Sequence, residues 1–412
     1  MYYSLLFDSN RKLGSHTMQG QQLLYKIIEN APCSIHKKTI NSVTNAVGSL
    51  LIGKELSLTG LARSSKGKAK ERHAIRRTDR LLGNTKLHGE IPTFYSVLIS
   101  CLLKRCEILY IIIDWSAVND KKKWYILRAS IVLKGRSHTI YQETHPKQNS
   151  TILEKAFLKK LKMLLPDKPV VIITDAGFRC SWFKTARGLG FDWLGRVRNK
   201  NKYQKEDKNA WKDTDSLYKN ATTKPQVLSN VTLVKSNPVK CSFVLVMKKN
   251  KGRKRFNKTG SASKNNVTKR ASKSAREPWL IATSLAVKSQ KDAKKIIKFY
   301  EKRMQIEEEF RDTKSHRYGF GLRYSLSKIG KRLEVLLLIA TLATFVCWLI
   351  SLSAHQKKRQ LDYQSNSIKT GGVLSIVYLA CRLIYKGEIF KKKELLASLS
   401  QLQYIARIGA AS

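Results

Sequence analysis

Residues Tyr300 to Lys314 read YEKRMQIEEEFRDTK. The approach to them, KSQKDAKKIIKF, contains neither Gly nor Pro and spaces its apolar residues as a helix does, which predicts one long helix over about residues 290–314. Tyr300, Arg303, Glu307 and Lys314 stand at offsets of 0, 3, 7 and 14. At about 100° per residue the four fall within roughly 60° of one another on a single face. That face carries a phenol, a guanidinium, a carboxylate and an ammonium. A carboxylate so placed suits a metal ion, and flanking cations suit the phosphates on which the metal acts. The same pattern also suits a solvated face laced with i,i+3 and i,i+4 ion pairs. Carboxylates elsewhere in the chain bear on the choice.

Two such carboxylates follow apolar runs. Ile108–Ile113, ILYIII, reads as a buried central strand ending at Asp114-Trp115-Ser116. Pro169–Thr174, PVVIIT, reads as a second, ending at Asp175-Ala176-Gly177. Between them, Trp124–Leu133 and Ser137–Glu143 flank Lys134-Gly135-Arg136, a hairpin signal. Thr151–Leu165 is helical and closed by Pro166, Trp182–Leu189 suits a short helix, and Phe191–Arg198 another strand. This order is that of a mixed α/β, ribonuclease-H-like sheet. Asp114 and Asp175 are expected just past the carboxyl ends of core strands, where α/β sheets place ligands. Either alone also suits a turn or helix cap; two at equivalent strand ends favour a metal site shared with Glu307.

Farther out, about residues 199–285 are expected not to continue that sheet. Val227–Val234 and Lys240–Met247 read as paired strands, and Pro278–Thr283, PWLIAT, as one more. Between Lys248 and Arg276 stand 12 Lys or Arg and no acid, a run suited to a polyanion or to a plain loop. The first 85 or so residues read as helices, with amphipathic stretches at His16–Asn30 and Lys37–Leu51 and a basic helix opening at Ser65. Val335–Ser353 is 19 residues without a charge, just long enough to span a membrane, but is read as a buried core helix. Val373–Tyr385 and Lys391–Gln403 are helical, with apolar faces to be covered in cis or by a second chain. The division expected is a helical DNA-binding region (1–88), core (89–198), β-rich insertion (199–285), core with the Glu307 helix (286–355) and a helical C-terminal region (356–412) suited to dimerisation.

Across the 412 residues, 79 Lys and Arg face 29 acids, a formal charge of +50. Such an excess opposes compaction unless a polyanion neutralises it, which points to nucleic acid first and an anionic membrane surface second. Met1–Gly14 lacks the basic and apolar regions of a signal peptide. The seven Cys are scattered, with neither a disulfide framework nor a zinc-ligand spacing, which suits a reducing cytoplasm.

Taken together these residues resemble the DDE transposases of bacterial cut-and-paste insertion sequences, in particular the insertion-sequence-four family and the type carried by the tetracycline-resistance transposon. Tyr300, Arg303, Glu307 and Lys314 match that family's Y-x2-R-x3-E-x6-K motif, and Asp114 in IIIDWS and Asp175 in IITDAGF match its two aspartate motifs. The resemblance, covering about residues 105–355, implies a ribonuclease-H-like core split by a β-strand insertion. It implies that Asp114, Asp175 and Glu307 bind two Mg²⁺ or Mn²⁺ ions and that Tyr300, Arg303 and Lys314 contact phosphates. It also implies that Trp279 stacks on a base flipped out at the transposon end; a core or interface Trp is the other reading. Glu308 and Glu309 follow Glu307 directly, and only Glu307 keeps the spacing to Arg303 and Lys314. The partners implied are double-stranded DNA, as terminal inverted repeats and target, and a second copy of the chain. Other classes stay open: a ribonuclease-H-fold nuclease that cuts without joining, a nonenzymatic basic DNA-binding protein, and a membrane protein spanning at 335–353.

Overall fold

The structure, a computed structural model, describes residues 19–32, 34–67, 69–119, 123–198, 200–207, 209–248, 261 and 277–409. The Met1–Gly14 stretch and all of the basic run but Lys248 and Ser261 lie outside the described residues. Within them the order begins α1 (Gln19–Glu29), α2 (Lys37–Gly53), α3 (Leu58–Arg63), α4 (Glu71–Leu82), α5 (Thr85–Leu103), β1 (Leu109–Ala117), β2 (Tyr125–Val132), β3 (Ser137–His145) and α6 (Thr151–Leu164). It continues with β4 (Val170–Thr174), α7 (Cys180–Gly188), β5 (Asp192–Val197), β6 (Lys202–Lys205), β7 (Lys212–Asp213), β8 (Gln226–Leu233), β9 (Val239–Val246) and β10 (Trp279–Thr283). Last come α8 (Gln290–Lys302), α9 (Met304–Lys314), α10 (Gly330–Gln356), α11 (Ile376–Tyr385) and α12 (Lys392–Gly409). The fold class is mixed α/β. The chain forms two compact units, one of Met1–Ser150, Lys160–Lys168 and Met304–Ser412, the other of Thr151–Lys159 and Pro169–Arg303.

In the first unit, β1, β2 and β3 form an antiparallel meander. The predicted hairpin is there: Gly135 takes φ +76°, open to glycine at no steric cost, and the Leu133 N–H donates to the Arg136 carbonyl at 3.0 Å. Strand β1 runs farther than expected. Asp114 pairs in register with Arg128, and pairing continues to Ala117 opposite Tyr125, so Asp114 lies inside the strand and not past its end. The apolar run stops at Ile113, but the ladder does not, because β2 still offers backbone partners. Burial changes where the sequence does: β1 is buried through Ile113 and half-exposed from Asp114 onward.

Helix α10 is long and apolar enough to cross a membrane by length and composition, yet its most apolar 18-residue window is wholly buried. It packs against α2, α5, β3, α11 and α12 within this unit. A helix apolar on every side needs cover on every side, and here the protein supplies it. The apolar faces of α11 and α12 are therefore covered in cis. The basic helix starts at Glu71, not Ser65, and α3 before it ends only at Arg63. The sequence pattern did not distinguish α3, which Ser57 caps by accepting the Gly60 N–H and which buries Leu61 and Ala62.

In the second unit the strand order is β4-β5-β10-β9-β8-β6-β7. The expected break after residue 198 does not occur as a break in hydrogen bonding. Strand β10 pairs antiparallel with β5, Leu280 opposite Val197 and Thr283 opposite Leu194, and β9 and β8 extend the ladder. Strand β5 would otherwise present a row of unpaired backbone groups, and β10 satisfies them. Gly195 lets the Phe183 ring approach: a Cβ there would lie 2.3 Å from it, and Phe183 stacks on Trp193 at 4.1 Å.

The long helix predicted over 290–314 is interrupted. α8 ends at Lys302 and α9 begins at Met304, with the Arg303 N–H donating to the Tyr300 carbonyl, a tighter i→i+3 bond. α8 buries Phe299 and Tyr300 in the second unit; α9 buries Ile306, Glu309 and Phe310 in the first. Each half is buried within its own unit, and Arg303 between them keeps helical dihedrals, φ −52° and ψ −34°.

Candidate active site

The first unit carries Asp114, Glu307 and Lys314. Three glutamates in a row follow the first three residues of α9, and successive residues are turned by about 100°. Glu309 faces the sheet and is buried. Its carboxylate accepts the Ser130 hydroxyl at 2.8 Å, the Ser137 hydroxyl at 2.6 Å, and the Thr139 N–H at 2.6 Å together with the Thr139 hydroxyl. Burial pushes its carboxyl up, but Arg128, His138 and the hydroxyl donors outweigh that and hold it below the usual range. Glu308 is part-exposed and paired with Arg136 at 3.1 Å and Arg311 at 2.8 Å. Glu307, two residues and about 200° from Glu309, is exposed.

Two turns along α9, the Lys314 ammonium donates to the Ser116 hydroxyl at 2.5 Å and the Ala117 carbonyl at 3.1 Å. Ser116 and Asp114 are two apart in β1 and share a sheet face. The end of α9 is thus fastened beside Asp114, whose Oδ1 accepts the Trp115 N–H at 2.8 Å. On the buried side, Asp312 pairs with Arg136 at 3.0 Å, and burial raises its carboxyl to about 7.

The second unit carries Asp175, Tyr300, Arg303 and Trp279. Asp175 follows β4 directly, as predicted, and its Oδ1 accepts the Gly177 N–H at 2.8 Å, an Asx turn that fixes the carboxylate. Tyr300 is buried; burial pushes its phenol up, Arg303 and Arg196 pull it down, and Asp175 adds to the rise. The Tyr300 ring meets Trp279 edge-on at 5.1 Å, and the Arg303 guanidinium lies 5.9 Å from the centre of the Tyr300 ring. Two cations flank Trp279: Arg196 at 5.7 Å and Lys248 at 5.4 Å from its ring centre. Arg196, Arg198 and Glu277 form an ion-paired group in this neighbourhood, Arg198 meeting the Glu277 carboxylate at 2.9 Å. Sequence reasoning missed Arg196, although the alternation Arg196-Val197-Arg198 at the end of an apolar strand puts both guanidinium groups on one face.

The structure thus brings Asp114, Lys314 and the Glu307 helix together in one unit, and Asp175, Tyr300, Arg303 and Trp279 together in the other. Among the described residues, no group of three or more His, Cys, Asp or Glu side chains is gathered to hold a metal ion.

A profile of the family described as Transposase DDE domain matches residues 107–344, more than half of the 412-residue chain and inclusive of all three acidic positions. The chain belongs to the DDE transposase family. Proteins of this family have a ribonuclease-H-like catalytic domain, bind DNA, and move DNA segments through metal-dependent strand cleavage and transfer. Comparison with curated proteins finds no match.

Proposed function

We propose that the chain is a cut-and-paste DNA transposase of the insertion-sequence-four family, of the type carried by the tetracycline-resistance transposon, and that Asp114, Asp175 and Glu307 are its acidic triad. The observation that carries this is the ordered set of motifs inside the matched domain: two aspartates at core strands, then Tyr300, Arg303, Glu307 and Lys314 at the family's spacing. The surroundings of α9 support Glu307 over Glu309, which is buried in a ring of donors whereas Glu307 is exposed, and the motif spacing selects Glu307 over Glu308.

By ligand type, Asp114, Asp175 and Glu307 suit a pair of Mg²⁺ or Mn²⁺ ions. Such hard cations take oxygen ligands, and these are three carboxylates, exposed or half-exposed, two of them oriented by a backbone N–H. Two bound ions would supply charge stabilisation for both the attacking and the leaving oxygen of an in-line displacement at phosphorus. The remaining residues bind and orient. Lys314 and Arg303 offer cations to nonbridging phosphate oxygens, Tyr300 packs beneath Arg303, and half-buried Trp279 offers a ring on which an unstacked base can rest. On this reading one strand is nicked at each transposon end and the freed 3′-OH attacks the opposite strand. The hairpin so formed is then hydrolysed, and the 3′-OH joins target DNA. Two copies of the chain hold two inverted-repeat ends, in the cytoplasm and without a membrane.

The test uses the full chain and labelled end DNA. Asp114→Asn, Asp175→Asn and Glu307→Gln should each lower nicking by at least about a thousandfold while DNA affinity stays within a few-fold. Normal nicking by any of the three means the triad is misassigned. A pre-cut end with a 3′-OH, offered with a target plasmid, separates transposase from nuclease: an enzyme that gives no joined product only cuts.

A further inference from the structure

Beneath α9 lies a buried polar network that the proposed chemistry does not use. Arg128, from β2, is 1% exposed, and its guanidinium lies 4.4 Å from the centre of the Phe310 ring. Its Nε–H donates to the Gln142 Oε1 at 2.9 Å, and its terminal nitrogens donate to the Thr313 hydroxyl at 3.3 Å. Gln142 in turn donates to the Tyr95 hydroxyl at 3.1 Å and to the Thr341 hydroxyl at 2.9 Å, which ties α5 and α10 to the same group. Glu309 closes the network, one carboxylate oxygen taking Ser130 and Ser137 and the other taking both donors of Thr139.

Burying a carboxylate and a guanidinium is a poor route to stability. The cost of desolvation is several kcal/mol per ion, and apolar side chains of the same volume are often as stabilising or more so. The best-attested use of such a group is to fix a register. The four donors around Glu309 come from two adjacent strands and accept one carboxylate in one place. A rotation of α9 by one residue would leave those donors unpaired and bury Glu308 or Phe310 against them. Glu309 and Glu307 ride on the same rigid helix, so the notch that holds the first sets the direction of the second.

We propose that Glu309, gripped by Ser130, Ser137 and Thr139, is a positioning residue that sets the rotation and height of α9 and thereby the direction in which Glu307 is presented to a divalent cation. This rests on the reading of Glu307 as a metal ligand. Glu309 touches neither substrate nor metal, and acts through the helix.

The experiment compares wild-type protein with Glu309→Gln, Thr139→Val and Thr139→Ser. Thr139→Val keeps the shape and the backbone N–H but removes one donor hydroxyl; Thr139→Ser keeps the hydroxyl. The readouts are thermal melting, affinity for end DNA without metal, the Mg²⁺ concentration giving half-maximal nicking, and Mn²⁺ binding followed by electron paramagnetic resonance on the protein–DNA complex. Below the melting transition, Glu309→Gln and Thr139→Val are expected to bind DNA within twofold of wild type and to need at least fivefold more Mg²⁺. Mn²⁺ binding should weaken in parallel, and Thr139→Ser should restore both to within twofold. Where Glu309→Gln fails to fold, Thr139→Val and its rescue carry the test. Folded variants with wild-type Mn²⁺ binding and wild-type Mg²⁺ dependence would overturn the proposal, leaving the network a purely stabilising one. Glu307→Gln, run alongside, separates the two ideas: normal Mn²⁺ binding and nicking by that variant removes the underlying reading, whereas their loss there beside normal behaviour at Glu309 removes only the positioning role.

Discussion

Three identical side chains in succession, Glu307, Glu308 and Glu309, meet three environments: helix geometry turns them in different directions, and the strands packed on α9 decide which one is buried. Glu308 lies part-exposed between two arginines, an arrangement worth little in water. Glu308→Gln should cost under about 1 kcal/mol in urea unfolding and leave nicking within about threefold of wild type, in contrast to Glu307→Gln. A second carboxylate repays attention for its pH behaviour. Glu143 in β3 accepts from Tyr141 at 2.6 Å and lies 3.3 Å from His145, with Lys160 at 2.5 Å. Burial pushes its carboxyl up, but His145, Lys160 and Tyr141 more than offset that and hold it at about 2. The folded value lies below the unfolded one, so the stability this group contributes is present above the unfolded value and is lost as pH falls toward 2. The stability difference between wild type and Glu143→Gln should be on the order of 2 kcal/mol at pH 7 and should shrink steadily between pH 4.5 and pH 2 in denaturant titrations. A difference that grows on acidification would show the sign to be wrong.

Among the elements, α9 shows most clearly how local sequence and packing divide the work. The composition is helical from Gln290 through α8 and α9, and the run divides at Arg303, with Tyr300 buried in one unit and Phe310 in the other. The turn that follows α9 is closed by main-chain bonds. Phe320 N–H donates to the Asp312 carbonyl at 2.9 Å, and Gly319 N–H to the Ser315 carbonyl at 3.1 Å. A Cβ at Gly319 would lie 1.8 Å from the Asp312 carbonyl oxygen, so the backbone must move to admit any side chain. Gly319→Ala is therefore expected to cost about 2–4 kcal/mol, read as a lowered urea midpoint with unchanged slope. A change under about 0.5 kcal/mol would mean that the turn yields without strain. Helix α10 teaches the opposite lesson: its sequence suits a bilayer, and only its neighbours reveal that protein fills that role.

For the whole molecule, the charge of +50 is the dominant fact. A chain so basic binds a polyanion by releasing the counterions condensed on it, so affinity falls with salt. In filter-binding or anisotropy titrations, log affinity for end DNA should fall linearly with log salt, with a slope steeper than about −5, as expected for six or more phosphate contacts. A flat profile would exclude the basic residues as a phosphate-binding surface. The carboxylates proposed for catalysis come from both compact units, Asp114 and Glu307 from one and Asp175 from the other.

Much of the fold was legible in the sequence because it rests on local rules. Apolar runs of β-branched residues marked β1 and β4, Lys134-Gly135-Arg136 marked the hairpin, Pro166 marked the end of α6, and Asp175 stood just past its strand as its position after an apolar run implied. The family was legible too, since motif spacing survives without any knowledge of packing. Tertiary structure alone decided that β1 continues through Asp114, that β10 pairs with β5, that the helix divides at Arg303, and which of three adjacent glutamates is buried. Each of these depends on which distant segment supplies a backbone partner or an apolar surface. Propensity and periodicity act within a few residues, whereas ladder pairing and burial join residues as far apart along the chain as Ser130 and Glu309.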